Sequence, residues 1–176
     1  MANYLPWAVD AAVAEELDQK MGAAVYGDLA RGEFQIRDIV DRIGKRELAV
    51  MLSGTDDLKS RAYKNMRDNI GRYLRGTRSP RADVRDRIES LCKEVRIQEI
   101  RNRSSLRVEI NACVITSRTK WCGLIGATLD GSLLDAFADA LSAGNPLLAM
   151  QVVSDGYGLD PDLVEELASV SSVKIT

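Results

Sequence analysis

The sequence predicts a mainly α protein with a small β-hairpin (α+β), in which a helix-turn-helix core is followed by a C-terminal hairpin and short helices. Three observations predict this class. Apolar residues recur at helical spacing through most of the chain before residue 105, and one later segment alternates apolar and polar residues as a half-buried strand does. Gly, Pro and Asp-Gly positions separate these segments. The 176 residues suffice for one core, or for a small module with appendages.

Residues 1–36 are expected to form an N-terminal helical segment. Pro6 suits the first turn of a helix, and apolar residues then recur at helical spacing up to Met21: Val9, Val13 and Leu17. A short second helix is expected through Val25 and Leu29, because glycines punctuate the chain on both sides of it.

Residues 37–105 are expected to form the helix-turn-helix domain. An apolar stripe that starts at Ile36 ends at Gly44, and a short helix over 45–52 and a turn over 53–57 follow. A longer helix is expected over roughly 58–74. The connection is longer than the three- or four-residue turn of a tight helix-turn-helix. Either the longer helix begins early, or the turn is enlarged.

A further helix is expected after the loop that follows Gly76. Ser79 as N-cap and Pro80 as the first helical residue predict its start, and its apolar residues recur at helical spacing. The pattern extends as far as Arg103.

Residues 106–176 are expected to form a hairpin with three helices. Alternation predicts strands over 106–114 and 121–129, joined by a turn at 117–120. Start signals predict short helices over 133–143, 147–154 and 163–170. A two-stranded hairpin is marginal by itself, and an exposed strand edge pairs readily with a second copy, so we expect a homodimer through residues 106–176.

Positive charge is concentrated in the middle of the chain. The segment from Lys59 to Arg107 holds 15 of the 24 Lys and Arg residues but 6 of the 26 Asp and Glu residues, which is a net charge of +9 in a chain of total charge −2. Such a field attracts polyanions, because neutralising phosphates releases condensed counterions. Cations on solvated helix faces are the alternative interpretation. Together with the order of helices, the charge favours binding to double-stranded DNA.

The longer helix, with its end extended to residue 75, is predicted to read the DNA major groove. Five of its side chains should point outward and contact base edges: Arg61, Lys64, Asn65, Asp68 and Arg72. Arg matches guanine and Asn matches adenine bidentately, at roughly 1–3 kcal/mol of discrimination each. The other predicted DNA-binding residues should contact phosphates, which set register without reading sequence: Lys59, Arg67, Arg75, Arg78, Arg81 and Arg85.

The composition argues against an enzyme. Histidine is absent, which removes Ser-His-Asp and Cys-His catalysis and the zinc sites that contain His. Neither a P-loop nor a dinucleotide-binding glycine pattern occurs. We therefore expect no catalytic residue, no metal and no cofactor, and nothing in the sequence marks a small-molecule pocket.

The cysteines and the hydropathy favour a cytoplasmic protein without a membrane partner. Three cysteines are an odd and sparse set, typical of a reducing compartment. Cys113 and Cys122 could face each other across the hairpin, but we expect them to be buried as small apolar side chains. No stretch approaches the roughly 18 apolar residues of a membrane span, and no signal peptide opens the chain.

The stretch RYLRGTRSPR (72–81) resembles the end of helix-turn-helix modules in phage and plasmid regulators, with a similarity that covers residues 44–88. The order of elements along the whole chain is similar to that of the terminal proteins of linear actinomycete plasmids and chromosomes. This resemblance implies a protein that binds replicon ends and supplies a hydroxyl group for priming. The hydroxyl groups that it points to lie near the hairpin: Thr116, Ser117, Thr119 and Thr128.

The leading hypothesis is a sequence-specific protein for double-stranded DNA. It would act as a transcriptional repressor, or as a replication or partition factor of a plasmid or phage. Two alternatives stay open. One is a protein-interaction adaptor that recruits a partner through its acidic ends, and the other is the priming protein that the resemblance implies.

Overall fold

The computed structural model describes residues 7–117 and 119–176. Pro6 and Arg118, which we placed in the first helix and in the hairpin turn, lie outside the described residues. Within them, six α-helices and one four-stranded sheet confirm the predicted α+β class, mainly α with a small β component. None of these helices combines the length and the apolar character needed to cross a lipid bilayer.

The elements of the described chain are numbered in sequence order. The helices are α1 (Ala11–Tyr26), α2 (Ile36–Ser53), α3 (Arg61–Leu74), α4 (Ala82–Arg101), α5 (Gly131–Ser142) and α6 (Pro146–Tyr157). The strands are β1 (Ala8–Val9), β2 (Ser105–Ile115), β3 (Lys120–Asp130) and β4 (Glu166–Ile175). Short 3-10 helices cover Gly27–Arg31 and Pro161–Leu163.

The chain divides into two compact units, whereas the sequence suggests three consecutive segments. The first unit combines the described residues up to Ala30 with Glu94–Thr176, and the second is Arg31–Lys93. The N-terminal helix joins the C-terminal elements because α1 packs against β4 and α6. From the sequence, the second unit carries 16 basic and 10 acidic residues, so its charge is +6 and the remainder of the chain is −8.

The first unit is built on a sheet with the strand order β1-β4-β2-β3. The predicted hairpin is confirmed: β2 and β3 are antiparallel, with partners from Ser105 and Asp130 to Ile115 and Lys120. One face of the sheet is packed against helices, since α1 contacts β4 and α6 contacts β3. The core on that face includes Val108, Ile110, Ile125, Leu129, Phe137, Met150 and Val153.

The helix predicted over 163–170 is wrong, because this segment enters strand β4. Strand β4 pairs antiparallel with β2, and two β-bulges shift its register. The bulges place Leu167 opposite Val114 and Val170 opposite Ala112, so residues three apart face the core. Apolar residues three positions apart are also typical of a helix, so the spacing of the apolar residues led to a wrong prediction.

Two predicted helix starts are also displaced. Val9 lies in β1, and α1 begins after Asp10, whose carboxylate accepts a hydrogen bond from the Ala12 backbone at 3.0 Å. Helix α4 begins at Ala82, two residues after Pro80, so Ser79 is not its N-cap. The residue before a proline disfavours helical backbone, and here residues 79–81 all lie outside a helix.

Cys113 and Cys122 are not buried apolar side chains, as we expected, but a disulfide across the hairpin. They occupy directly opposite positions on β2 and β3, with a Cα–Cα distance of 4.0 Å. Cys113 is half-buried and Cys122 is exposed, whereas Cys92 is buried and takes no part in this disulfide. The cysteine count therefore no longer supports the expectation of a reducing compartment.

Candidate nucleic-acid interface

The second unit contains the two helices of the predicted helix-turn-helix. Helix α2 is kinked at Gly44, which has φ 83° and ψ 151° and so interrupts the helical backbone where the sequence predicted a break. Helix α2 packs against α3. Residues from both helices are buried in this unit: Leu48, Ala49, Leu52, Tyr63 and Ile70.

The connection between α2 and α3 is an enlarged turn, which resolves the two possibilities that the sequence left. Gly54 ends α2 in the left-handed conformation, with φ 67°. Asp57 organises the turn by accepting a hydrogen bond from the Lys59 backbone at 2.9 Å. Ser60 then caps α3, because its hydroxyl oxygen accepts from the Tyr63 backbone N–H at 3.1 Å. The helix therefore begins at Arg61 and not near residue 57.

Helix α3 separates an inner apolar face from an outer polar face. Tyr63 is 5% exposed and Ile70 is fully buried, so the inner face is held in the core. The five side chains predicted to contact bases are all exposed. At 100° per residue they share an arc of about 100°, which is one side of the helix: Arg61, Lys64, Asn65, Asp68 and Arg72.

The positive charge of the second unit is concentrated around α3. Residues 59–81 hold eight Lys and Arg side chains and one acidic side chain, Asp68. All eight cations are exposed. Among the residues that the structure describes, one of these eight has a carboxylate within ion-pair distance, and that pair is long, at 3.9 Å between Arg67 and Asp68. The positive field of this surface is therefore largely uncompensated by local ion pairs.

A shallow pocket of about 260 Å³ lies on the outer face of α3. Its lining combines side-chain amides, a carboxylate and two guanidinium groups: Asn65, Asp68, Asn69, Arg72 and Arg78. Arg78 donates a hydrogen bond from Nη1 to Oδ1 of Asn69 at 3.0 Å, so the loop after α3 is tied to the helix. This set of directional donors and acceptors is the chemistry that recognises base edges.

The residues predicted to contact phosphates do not all occupy α3. Lys59 lies in the turn before the helix, Arg67 on its side, Arg75 at its C-cap and Arg81 immediately before α4. Arg85 lies in the first turn of α4, where its Nη2 donates to the carbonyl oxygen of Gly32 at 3.0 Å. Arg85 is therefore held to the chain, while the rest of its guanidinium is free to contact a ligand.

The sequence analysis did not identify two residues of this surface as candidate site residues. Asn69 was not selected, although its i+4 spacing from Asn65 was a usable signal. The structure shows it half-buried at the margin of the outer face. Lys45 belongs to α2, but a methyl group placed on Gly71 would lie 2.9 Å from its Nζ and 3.5 Å from Nη1 of Arg75. Two cations thus lie close to one glycine of α3, and no pattern in the sequence predicts this proximity.

The hydroxyl groups that the family resemblance points to lie at the hairpin of the first unit. Thr116 accepts a hydrogen bond from the Thr119 backbone at 3.2 Å and donates one to the Thr119 carbonyl oxygen at 3.0 Å. Ser117 and Thr128 are exposed, the former in the turn and the latter on β3. Thr116 is thereby a turn-forming residue. Across the described part of the chain, no three His, Cys, Asp or Glu residues group closely enough to hold a metal ion.

No family model, no curated protein and no solved structure matches this chain. The functional conclusion therefore depends on the geometry and the charge of the second unit.

Proposed function

We propose that this protein binds double-stranded DNA in a sequence-specific manner and reads the major groove with α3. The observation that carries the proposal is the outer face of that helix, where exposed cations and amides stand over a buried apolar face. A capped helix held in a core is a rigid support for such side chains. Its biological role would be that of a transcriptional repressor or a replication or partition factor of a plasmid or phage.

The contacts divide into two classes by position. Asn65, Asp68, Asn69, Arg72 and Arg78 share the shallow pocket on α3, so they are the residues proposed to contact base edges. Arg61 and Lys64 extend the same face toward the start of the helix. The remaining cations would neutralise phosphates, which supplies affinity that depends on salt but not on sequence.

A dimer would place two such helices on one DNA site. The observation that favours it is β3, an 11-residue strand at the edge of the sheet that the described residues form. Leu124 on this strand is 48% exposed and Trp121 is 38% exposed. A second copy that pairs along β3 would cover both the strand edge and these side chains. Two half-sites about one DNA turn apart, roughly 34 Å, would then be recognised together.

Fluorescence anisotropy of a labelled random-sequence duplex tests DNA binding across a salt series. We expect the logarithm of the association constant to fall linearly with the logarithm of the salt concentration, with a slope of about −0.9 for each phosphate neutralised. A variant with Arg75→Gln and Arg81→Gln should have a shallower slope, whereas the matched pair Arg96→Gln and Arg101→Gln on α4 should not. Equal slopes in all three proteins would contradict the proposed phosphate contacts.

The molar mass in solution tests the dimer separately. Light scattering after size exclusion should give twice the chain mass of 19.3 kDa. Leu124→Lys should shift the protein toward the single-chain mass, because it places a charge in the proposed interface. A single-chain mass for the unaltered protein at all concentrations would reject pairing through β3.

A further inference from the structure

A second, larger pocket lies within the second unit. Its volume is about 530 Å³, within the range of sites that hold small organic ligands. Three separate stretches of chain form it: the residues that lead into α2, the end of α3 with its following loop, and the first turn of α4. Residues 34–37 are distant in sequence from residues 73–85, so the sequence analysis, which predicted no small-molecule site, could not detect this pocket.

The lining of this pocket combines guanidinium groups with aromatic rings. Arg37, Arg78 and Arg85 contribute the cations, and no carboxylate is among the described residues that line it. Phe34 and Tyr73 are half-buried and present rings, next to aliphatic carbon from Ile36, Leu74 and Pro80. An uncompensated guanidinium cluster next to apolar rings is complementary to a ligand that has an anion and a planar ring.

We propose that this pocket binds a free mononucleotide. Its phosphate would accept hydrogen bonds from the three guanidinium groups, whose forked donors match phosphate oxygens. Its base would lie against the ring of Phe34 or Tyr73, because every base has a π face that stacks on aromatic side chains. A nucleotide within a DNA strand has the same chemistry, and the experiment below separates the two sources.

Occupation of the pocket would weaken DNA binding, an inference that rests on the proposed function. Arg78 lines both this pocket and the shallow pocket on α3, and Arg85 is a proposed phosphate contact. A bound phosphate group would neutralise part of their positive charge and engage donors that DNA requires. By linkage, DNA would weaken nucleotide binding by the same factor.

Calorimetric titration of the full chain with adenosine 5′-monophosphate, without DNA, tests the site itself. Adenosine and inorganic phosphate are the matched probes, since each lacks one half of the ligand. We expect the mononucleotide to bind at least about tenfold more tightly than either probe, and Arg37→Gln to weaken it by at least about tenfold, the effect of one lost charge-assisted hydrogen bond. Arg46→Gln, an exposed cation of α2 outside the pocket, should leave its affinity unchanged. Absence of binding, or equal losses in the two variants, would overturn the site.

A second arm uses the labelled duplex and separates the sources of the nucleotide. If the ligand is a free mononucleotide, Arg37→Gln and Arg46→Gln should bind the duplex with equal affinity. The mononucleotide should then no longer inhibit DNA binding by Arg37→Gln. A DNA affinity that falls in Arg37→Gln as strongly as the mononucleotide affinity would instead identify the pocket as part of the DNA interface and reject the free ligand. If the chain binds the mononucleotide but no DNA, the site stands and the proposed function fails.

Discussion

Arg78 donates a hydrogen bond from Nη1 to Oδ1 of Asn69 at 3.0 Å, which connects the loop after α3 to the outer face of that helix. The sequence predicts Arg78 as a phosphate contact alone, because it lies beyond the end of the helix. The structure places it in one shallow pocket with Asn65, Asp68 and Arg72. Under the proposed function, Arg78 would therefore support base recognition as well as contribute charge.

The first prediction concerns this double role. Arg78→Ala should weaken binding to every duplex and also reduce the preference for a cognate site over a random one, because Asn69 loses the donor that orients it. Arg81→Ala removes a cation that has no such bond, so it should weaken all duplexes alike and reduce the salt slope by about one unit. Parallel titrations of a cognate and a random duplex measure both quantities. Identical ratios in the two variants would show that Arg78 supplies charge alone.

The second prediction concerns the start of α3. Arg61→Ala and Lys64→Ala should each weaken binding to a cognate duplex by about 1–3 kcal/mol. Both side chains are exposed, so the free energy of unfolding should change by less than about 0.5 kcal/mol. Lys174→Ala, which removes an exposed cation from β4, is the control and should bind normally. Unchanged affinity in both α3 variants would show that this helix does not read the major groove.

The third prediction concerns the disulfide between Cys113 and Cys122. Replacing both by Ser should lower the free energy of unfolding by about 2–3 kcal/mol, the loop-closure effect of a short cross-link in the unfolded chain. Thiol labelling of the denatured, unreduced protein should modify Cys92 alone, whereas prior reduction should expose all three cysteines. Three labelled thiols without reduction would exclude the disulfide.

The fourth prediction concerns the close approach of Trp121 to Gly123. A methyl group on Gly123 would lie 2.4 Å from Cζ2 of the indole ring, which is too close for two carbon atoms. Gly123→Ala should therefore displace the ring and shift Trp fluorescence. Because the ring is 38% exposed, the free energy of unfolding should change by no more than about 0.5 kcal/mol. Gly126→Ala on the same strand is the matched control, because its methyl group would meet the flexible end of Arg107 at 3.1 Å. Equal effects of the two substitutions would contradict this packing.

The fifth prediction concerns Tyr26 at the end of α1. Burial and then the negative charge of Asp18 raise the pKa of Tyr26 above its usual value of 10.0, so folding favours the neutral phenol. Its stabilising contribution is complete below about pH 10 and is lost as the pH rises through the raised folded-state pKa. Urea unfolding at about pH 9 and about pH 11 should show a larger loss of stability for the unaltered protein than for Tyr26→Phe. The exposed Tyr157→Phe should behave like the unaltered protein, and the same pH dependence in Tyr26→Phe would refute the assignment.

The sequence was sufficient where one local signal determined one element. The glycine at 44 marked the break in α2, and the apolar residues of α3 defined an outer face that the structure reproduces. It failed where tertiary pairing decided the outcome. Strand β4 forms because it pairs with β2. The bulges beside Ala112 and Val114 give its buried residues a spacing that resembles that of a helix.

The same distinction applies to the candidate site. The exposed residues of α3 follow from helical periodicity, which a sequence displays directly. The approach of Lys45 to Gly71, the bond between Arg78 and Asn69 and the pocket that contains Arg37 bring separate segments together. Such contacts are set by packing, and no period or spacing in a single sequence encodes them.

The most direct test of the central claim is selection from a random duplex library by the full chain, followed by sequencing of the retained DNA. We predict one enriched motif, arranged as an inverted repeat with half-sites about one helical turn apart, roughly 34 Å. Arg61→Ala and Lys64→Ala should lose this enrichment while they still retain DNA at low salt. Retained DNA without any enriched motif, or no retention even at low salt, would contradict sequence-specific reading by α3.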